Sequence, residues 1–159
     1  MRRACATALG LVLLVVGEAR AHEHAPPHGG TLVELGEENA HLELVLDPAL
    51  GQVTAYVLDG EAENAVRIAM PALELRLLAW RNGDAESAAD EVGKPIRLDG
   101  VANVLTGETA GNTSEFRGAA DVLRGAVAFD AVLDRVQVRG AEWKSVSIRF
   151  PAGNEEPKE

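Results

Sequence analysis

Apolar residues recur at every second position through much of this chain, and that spacing belongs to half-buried strands. Leu42, Leu44 and Leu46 share one face of a segment that begins at His41. Val53, Ala55 and Val57 face one way, with Thr54 and Tyr56 opposite. Leu73, Leu75 and Leu77 alternate with Glu74 and Arg76, and Val146, Ile148 and Phe150 alternate with Ser147 and Arg149. Val132, Val136 and Val138 mark a further half-buried strand. Turn-forming residues punctuate these runs. Asp47-Pro48-Ala49-Leu50-Gly51 reads as a hairpin-like loop, and Asp59-Gly60, Asn82-Gly83, Asp99-Gly100 and Arg139-Gly140 break the chain at intervals of a strand length. Asp84 to Glu91 reads either as one helical turn or as loop. The expectation is an all-β protein: a single antiparallel β-sandwich, immunoglobulin-like, with about seven strands. Its core is mainly Val, Leu, Ile and Ala, anchored by Trp80, Phe116, Phe129, Trp143 and Phe150.

The strand pattern does not reach the N-terminus, which reads instead as a cleavable export signal. Arg2 and Arg3 are followed by the uncharged apolar run Ala8 to Val16, then by the small-x-small site Ala19-Arg20-Ala21. A bilayer span needs about 20 apolar residues, and this run falls well short. Cys5 precedes the apolar run, so it is not placed as a lipoprotein cysteine. The expected organisation is a signal peptide over 1–21, a flexible histidine-rich leader over 22–30, the β-sandwich over 31–151 and a polar tail over 152–159.

Cleavage after Ala21 removes Arg2, Arg3, Arg20 and Glu18, so the net charge moves from −10 to about −12. It also removes the one cysteine, and with it any disulfide or thiolate metal site. About 138 residues remain, which suits one domain with a genuine core. An acidic surface repels nucleic acid. The expected location is periplasmic or secreted, with no transmembrane segment in the mature chain.

Three of the four histidines, His22, His24 and His28, lie in the leader, and the fourth is His41. Clustered neutral imidazoles suit borderline metals such as Cu(II), Ni(II) and Zn(II). A mature chain starting His22-Glu23-His24 offers its free amine, two backbone amide nitrogens and the His24 imidazole to one square-planar ion, which favours Cu(II) or Ni(II). Cleavage after Ala19 leaves Arg20-Ala21-His22 and again places histidine third. A competing mode has His22 bind copper through its amine and ring, with His28 or His41 completing a T-shaped brace. The two modes use the same amine and exclude one another. Blander readings stand beside both: the leader as a solubilising segment, His28 as a backbone cap on the first strand, and His41 with Glu43 as part of a solvated strand face or as a weak ligand pair. The acidic pairs Glu37-Glu38, Glu61/Glu63 and Asp90-Glu91 read as solvated loops.

Enzyme signatures are mostly missing. The sequence has no phosphate-binding glycine loop, no zinc-protease helix motif and no nucleophile elbow. After cleavage Met70 is the single methionine, which argues against methionine-based copper trafficking.

The stretch His28-Gly29-Gly30-Thr31-Leu32-Val33-Glu34-Leu35-Gly36, then His41-Leu42-Glu43-Leu44-Val45, then Val53-Thr54-Ala55-Tyr56-Val57-Leu58-Asp59 resembles a small periplasmic module. That module precedes the adaptor portion of some heavy-metal RND efflux systems and also occurs as stand-alone exported proteins. The likeness is most specific over residues 28–59. It implies a periplasmic β-sandwich associated with metal resistance or efflux, with efflux components as partners. The chain lacks the helical hairpin and barrel of an adaptor, so it is not expected to bridge a pump to a channel. The residues themselves leave three expectations: a metal-binding accessory using His22, His24 and His28, with His41 the weakest candidate; a non-metal protein–protein interaction module; and, least favoured, a copper oxidative enzyme with an N-terminal histidine brace.

Overall fold

The computed structural model describes residues 25–83, 85–86 and 92–154. The expected signal segment, His22 and His24, most of the 84–91 stretch and the last five residues of the chain lie outside the described residues. Nine strands form among the described residues: β1 (Thr31–Leu35), β2 (Ala40–Asp47), β3 (Gln52–Leu58), β4 (Ala72–Asn82), β5 (Ala85–Glu86), β6 (Pro95–Gly100), β7 (Glu115–Ala119), β8 (Ala128–Val138) and β9 (Ala141–Phe150). The regular helix among the described residues is one 3-10 turn, Asp121–Leu123.

All strand pairs are antiparallel, in the order β1-β2-β3-β7-β6-β4-β8-β9, with the two-residue β5 beside β4. The all-β, sandwich-like expectation therefore holds, with more strands than the usual seven and with the layers joined as one continuous sheet. The chain runs β1-β2-β3 as a meander, crosses from β3 to β4, and returns through β6 and β7 to fill the gap between them.

Inward residues from both halves of this sheet belong to one core, including Val33, Leu42, Leu44, Val57, Leu75, Leu98, Phe116, Leu133, Val136 and Ile148. A single sheet can bury one shared face only by curling on itself. The two edge strands then come together. Thr31 Oγ1 donates to the Pro151 carbonyl at 3.1 Å. The Glu34 N–H donates to Asn154 Oδ1 at 2.9 Å, and Asn154 Nδ2 donates to the Glu34 carbonyl at 2.8 Å. One side-chain amide thus satisfies both backbone groups of an otherwise open edge residue. The segment after β9 takes part in closing the sheet at least as far as Asn154. Trp143 of β9 lies over Gly36, where a Cβ would come within 2.5 Å of its Nε1.

The expected turns form for local reasons. Asp47 Oδ1 accepts from the Ala49 and Leu50 N–H groups at 2.9 and 3.3 Å, an Asx-type turn. Arg139 and Gly140, both at positive φ (49° and 88°), make the two-residue β8–β9 hairpin. Asp99-Gly100 does not break the chain, because both residues belong to β6. Ala85–Glu86 pairs with Arg81 and Asn82 as strand, so this part of the 84–91 stretch is not a helical turn.

Two strands change face along their length. In β4 the inward set runs Leu73, Leu75, Leu77 and then Trp80, because a bulge against β8 lies between Leu77 and Ala79 and leaves Leu78 exposed. In β8 the inward set is Ala131 and Leu133, then Val136 and Val138; the change falls opposite Ser145, which has φ 54°. Val132 consequently lies on the opposite face from Val136 and Val138.

Candidate functional site: a histidine docked on a buried carboxylate

The first described residues form a tight turn laid against β2. Pro27 occupies the second position of a β-turn closed by the Gly29 N–H donating to the Pro26 carbonyl at 3.1 Å. Gly29 supplies the positive φ of 70° that leads out of it. Gly30 then passes so close to β2 that a Cβ would lie 2.4 Å from the Leu44 carbonyl oxygen. Pro-Pro-His-Gly-Gly is thus a local prescription for folding His28 back onto the strand.

Under His28 lies Glu43, in the middle of β2 and wholly buried. Its Oε1 accepts from the backbone N–H of His28 and of Gly30, both at 2.8 Å. Its Oε2 lies 2.7 Å from His28 Nδ1. The imidazole stacks on Tyr56, Glu43's cross-strand partner on β3, with ring centroids 3.7 Å apart and planes 9° from parallel. The His28 side chain nevertheless keeps 42% of its surface open. A buried carboxylate is tolerable only when hydrogen-bonded, and here the partners come from the chain segment expected to be a loose leader. Burial, followed by the Glu115 and Glu43 carboxylates, raises the Tyr56 phenol above its ordinary value, against an opposing effect of Arg117. Tyr56 is therefore neutral near pH 7.

His41 stands two residues before Glu43 on the same strand face and is also buried, at 2% exposure. Its Nδ1 donates to the Asp59 carbonyl at 3.2 Å. The Asp59 side chain gathers the loop that follows β3, accepting from the Glu63 N–H, the Asn64 N–H and Asn64 Nδ2 at 3.0, 3.1 and 2.7 Å. The solvated face expected for His41 and Glu43 does not form. The 28–30 segment covers Glu43, and His41 faces the chain leaving β3. His28 does make a backbone contact, but to a side chain of β2; it is its ring that docks.

Of the four expected ligands, His28 and His41 are placed and His22 and His24 lie outside the described residues. Among the described residues no three His, Cys, Asp or Glu side chains group so as to hold an ion. The arrangement therefore supplies one half-open imidazole held against the fold. Glu43 and Tyr56 were not legible as its supports. The signals that point to them are a glutamate amid Leu42, Leu44 and Val45, and two consecutive glycines that permit close approach. A concavity of about 500 Å³ lies elsewhere, lined in part by Trp80, Phe129, Asp130, Arg149 and Phe150, and has no histidine in its wall.

Comparison with protein-family models, with characterised proteins and with solved structures gives no match. No helix among the described residues is long and apolar enough to cross a membrane.

Proposed function

We propose that this chain is an exported, periplasmic accessory protein that binds a transition-metal ion through its histidine-bearing N-terminal segment. Cu(II) is the first choice, with Ni(II) and Zn(II) as alternatives. The service is metal buffering or delivery to components of an efflux system. The role is binding and not catalysis. The observation that carries this reading is the anchoring of His28: a half-open imidazole is held at the point where the histidine-rich segment meets the fold. His24 precedes it by four residues, within roughly 14 Å of extended chain. An ion bound there would be tethered to a folded body. The buried His41 supports the reading less, because an ion arriving from solvent meets a closed surface there.

The test is Cu(II) titration of the exported, mature protein, its first residue established by mass spectrometry. One tight equivalent with a square-planar nitrogen-type d–d band is expected, and deleting His22–His28 should abolish it. Equal binding by the truncated protein defeats the proposal.

A second reading, a protein–protein interaction module without metal, has one observation in its favour. Val104 and Leu105 are each 95% exposed. Their loop is well braced: Asn103 and Glu108 exchange backbone hydrogen bonds, and Glu108 Oε1 accepts from the Ser114 N–H and hydroxyl. A partner whose capture ignores chelator but fails with V104S/L105S would favour this reading.

A further inference from the structure

We infer that the concavity where β4 and β9 end and β8 begins is a binding site for a small zwitterion, an α-amino acid with an apolar side chain. Its carboxylate would meet Arg149 and its ammonium Asp130. This site shares no residue with the histidine dock, and it stands or falls apart from the metal-binding reading.

The pleat builds the site. Ala79, Asp130 and Arg149 stand opposite one another in a row across β4, β8 and β9, and Arg81 with Ala128 begins the next row on the same face. The row between them, Trp80, Phe129 and Phe150, points the other way, and Trp80 and Phe129 are buried. Small alanines among longer neighbours keep the outer surface low. Past β9 the chain doubles back. Arg149 and Gly153 exchange backbone hydrogen bonds at 2.9 and 2.6 Å, and the returning Pro151 and Ala152 wall the space. Its volume is about 500 Å³, within the roughly 300–1,000 Å³ of small-ligand pockets.

The charges around this space are left open. Asp130 and Arg149 are direct cross-strand neighbours of opposite sign, yet they form no ion pair, and neither side chain has a hydrogen-bonding partner among the described residues. Glu74 and Arg97 are direct cross-strand neighbours on the same sheet and do pair, with oxygen and nitrogen 3.2 Å apart. Arg81, on β4, adds a second guanidinium across the cavity.

These groups select the ligand. A plain carboxylate suits the arginines but meets Asp130. A plain amine suits Asp130 but meets two guanidiniums. Phosphate, with more negative charge, is opposed by Asp130 more strongly still. An α-amino acid holds both signs on neighbouring carbons. Its carboxylate accepts from the planar guanidinium fork, and its ammonium donates to the Asp130 carboxylate. Cross-strand Cβ atoms stand about 5 Å apart, so both side chains can reach one small molecule. Its side chain then lies over Ala79 and Ala128, an apolar floor that favours an apolar group.

The experiment titrates the ¹⁵N-labelled protein with L-leucine and L-phenylalanine, with their N-acetyl forms, which lack the ammonium, and with their carboxamides, which lack the carboxylate. Either amino acid should move the backbone amide signals of Ala79, Ala128, Asp130 and Arg149 and saturate in the millimolar range. D130N and R149Q should each weaken binding about tenfold, the effect of losing one hydrogen bond to a charged group. Selectivity gives the readout that a merely structural role would not move. D130N should narrow the gap between amino acid and N-acetyl form, and R149Q the gap between amino acid and carboxamide. No shift at these amides with either amino acid overturns the inference. So do equal affinities for the charge-deleted derivatives, or unchanged binding in either variant. Tighter binding of inorganic phosphate would make this a plain anion site and overturn it as well.

Discussion

The Glu43 carboxylate is wholly buried beneath an imidazole that is not: Oε2 lies 2.7 Å from Nδ1 of His28, whose side chain is 42% exposed. Fifteen positions separate the two in sequence. Their pairing therefore reports how the N-terminal segment folds back on β2. Glu43→Ala should remove the anchor, strand the His28 and Gly30 N–H groups, and cost about 2 kcal/mol in urea unfolding, since hydrogen bonds to charged groups contribute more than neutral ones. The same variant should make the 25–30 segment readily cleaved by protease. A variant as stable and as protease-resistant as wild type would mean that the dock contributes nothing.

Gly30→Ala tests the same dock from the backbone side. The added Cβ would sit 2.4 Å from the Leu44 carbonyl oxygen and 2.8 Å from Val45 Cγ2, so the segment must shift. A destabilisation of about 1–3 kcal/mol is expected, in the range of overpacked sites. NMR spectra of the variant should no longer show the His28 imidazole stacked on the Tyr56 ring. Persistence of that stacking would show that the turn can yield without undocking.

Asn154→Ala removes two hydrogen bonds from the exposed edge of β1. The expected cost is about 1–2 kcal/mol, and the Glu34 amide should exchange with solvent much faster than in wild type. Unchanged exchange at Glu34 would mean that Asn154 plays no part in closing the sheet.

Two carboxylates predict an acid-side loss of stability. The Asn64 side-chain amide holds Asp59 below its ordinary value against burial, which works to raise it, and the Asn64 and Glu63 N–H groups add to the lowering. Burial works to raise Glu108, but the Ser114 hydroxyl and N–H, the Thr106 hydroxyl and nearby Arg67 bring it below the usual glutamate value. A folded-state pKa below the unfolded one means that the unfolded chain binds more protons in this window, so stability rises with pH across it. The contribution is complete above the unfolded values, near pH 4, and fades as pH falls through the folded ones. D59N/E108Q should be less stable at pH 7 and show a shallower acid slope in chemical unfolding. Parallel curves for the two proteins would contradict this.

Val104 and Leu105 offer a contrast. At 95% exposure each, they contribute no core, and V104S/L105S should change stability by under about 0.5 kcal/mol. A larger drop in thermal unfolding would show that the pair packs somewhere in solution.

The period-two spacing was enough to read β2, β3, β4, β8 and β9 and most of their inward residues, because a strand's alternation is a local property of the backbone. Asp47–Gly51 and Arg139-Gly140 were legible as turns for the same reason. Alternation failed where a bulge shifted it, as at Leu78, and where a turn-like dipeptide was absorbed into pairing, as at Asp99-Gly100. The short β1 and β7 lacked enough repeats to stand out.

What the sequence by itself determined is which side of β2, β3, β9 and the first half of β4 turns to the core. What only the tertiary structure decided is what covers the other side. Val45, Glu43 and His41 have one parity, and parity alone predicts water above all three. Gly30 instead crosses beside Val45, His28 lies on Glu43, and the Asp59 carbonyl meets His41. The physical reason is that burial of an outward face depends on which distant segment crosses it. That is settled by the closing of turns and by the pairing needs of a buried carboxylate, neither of which is written in the spacing of apolar residues.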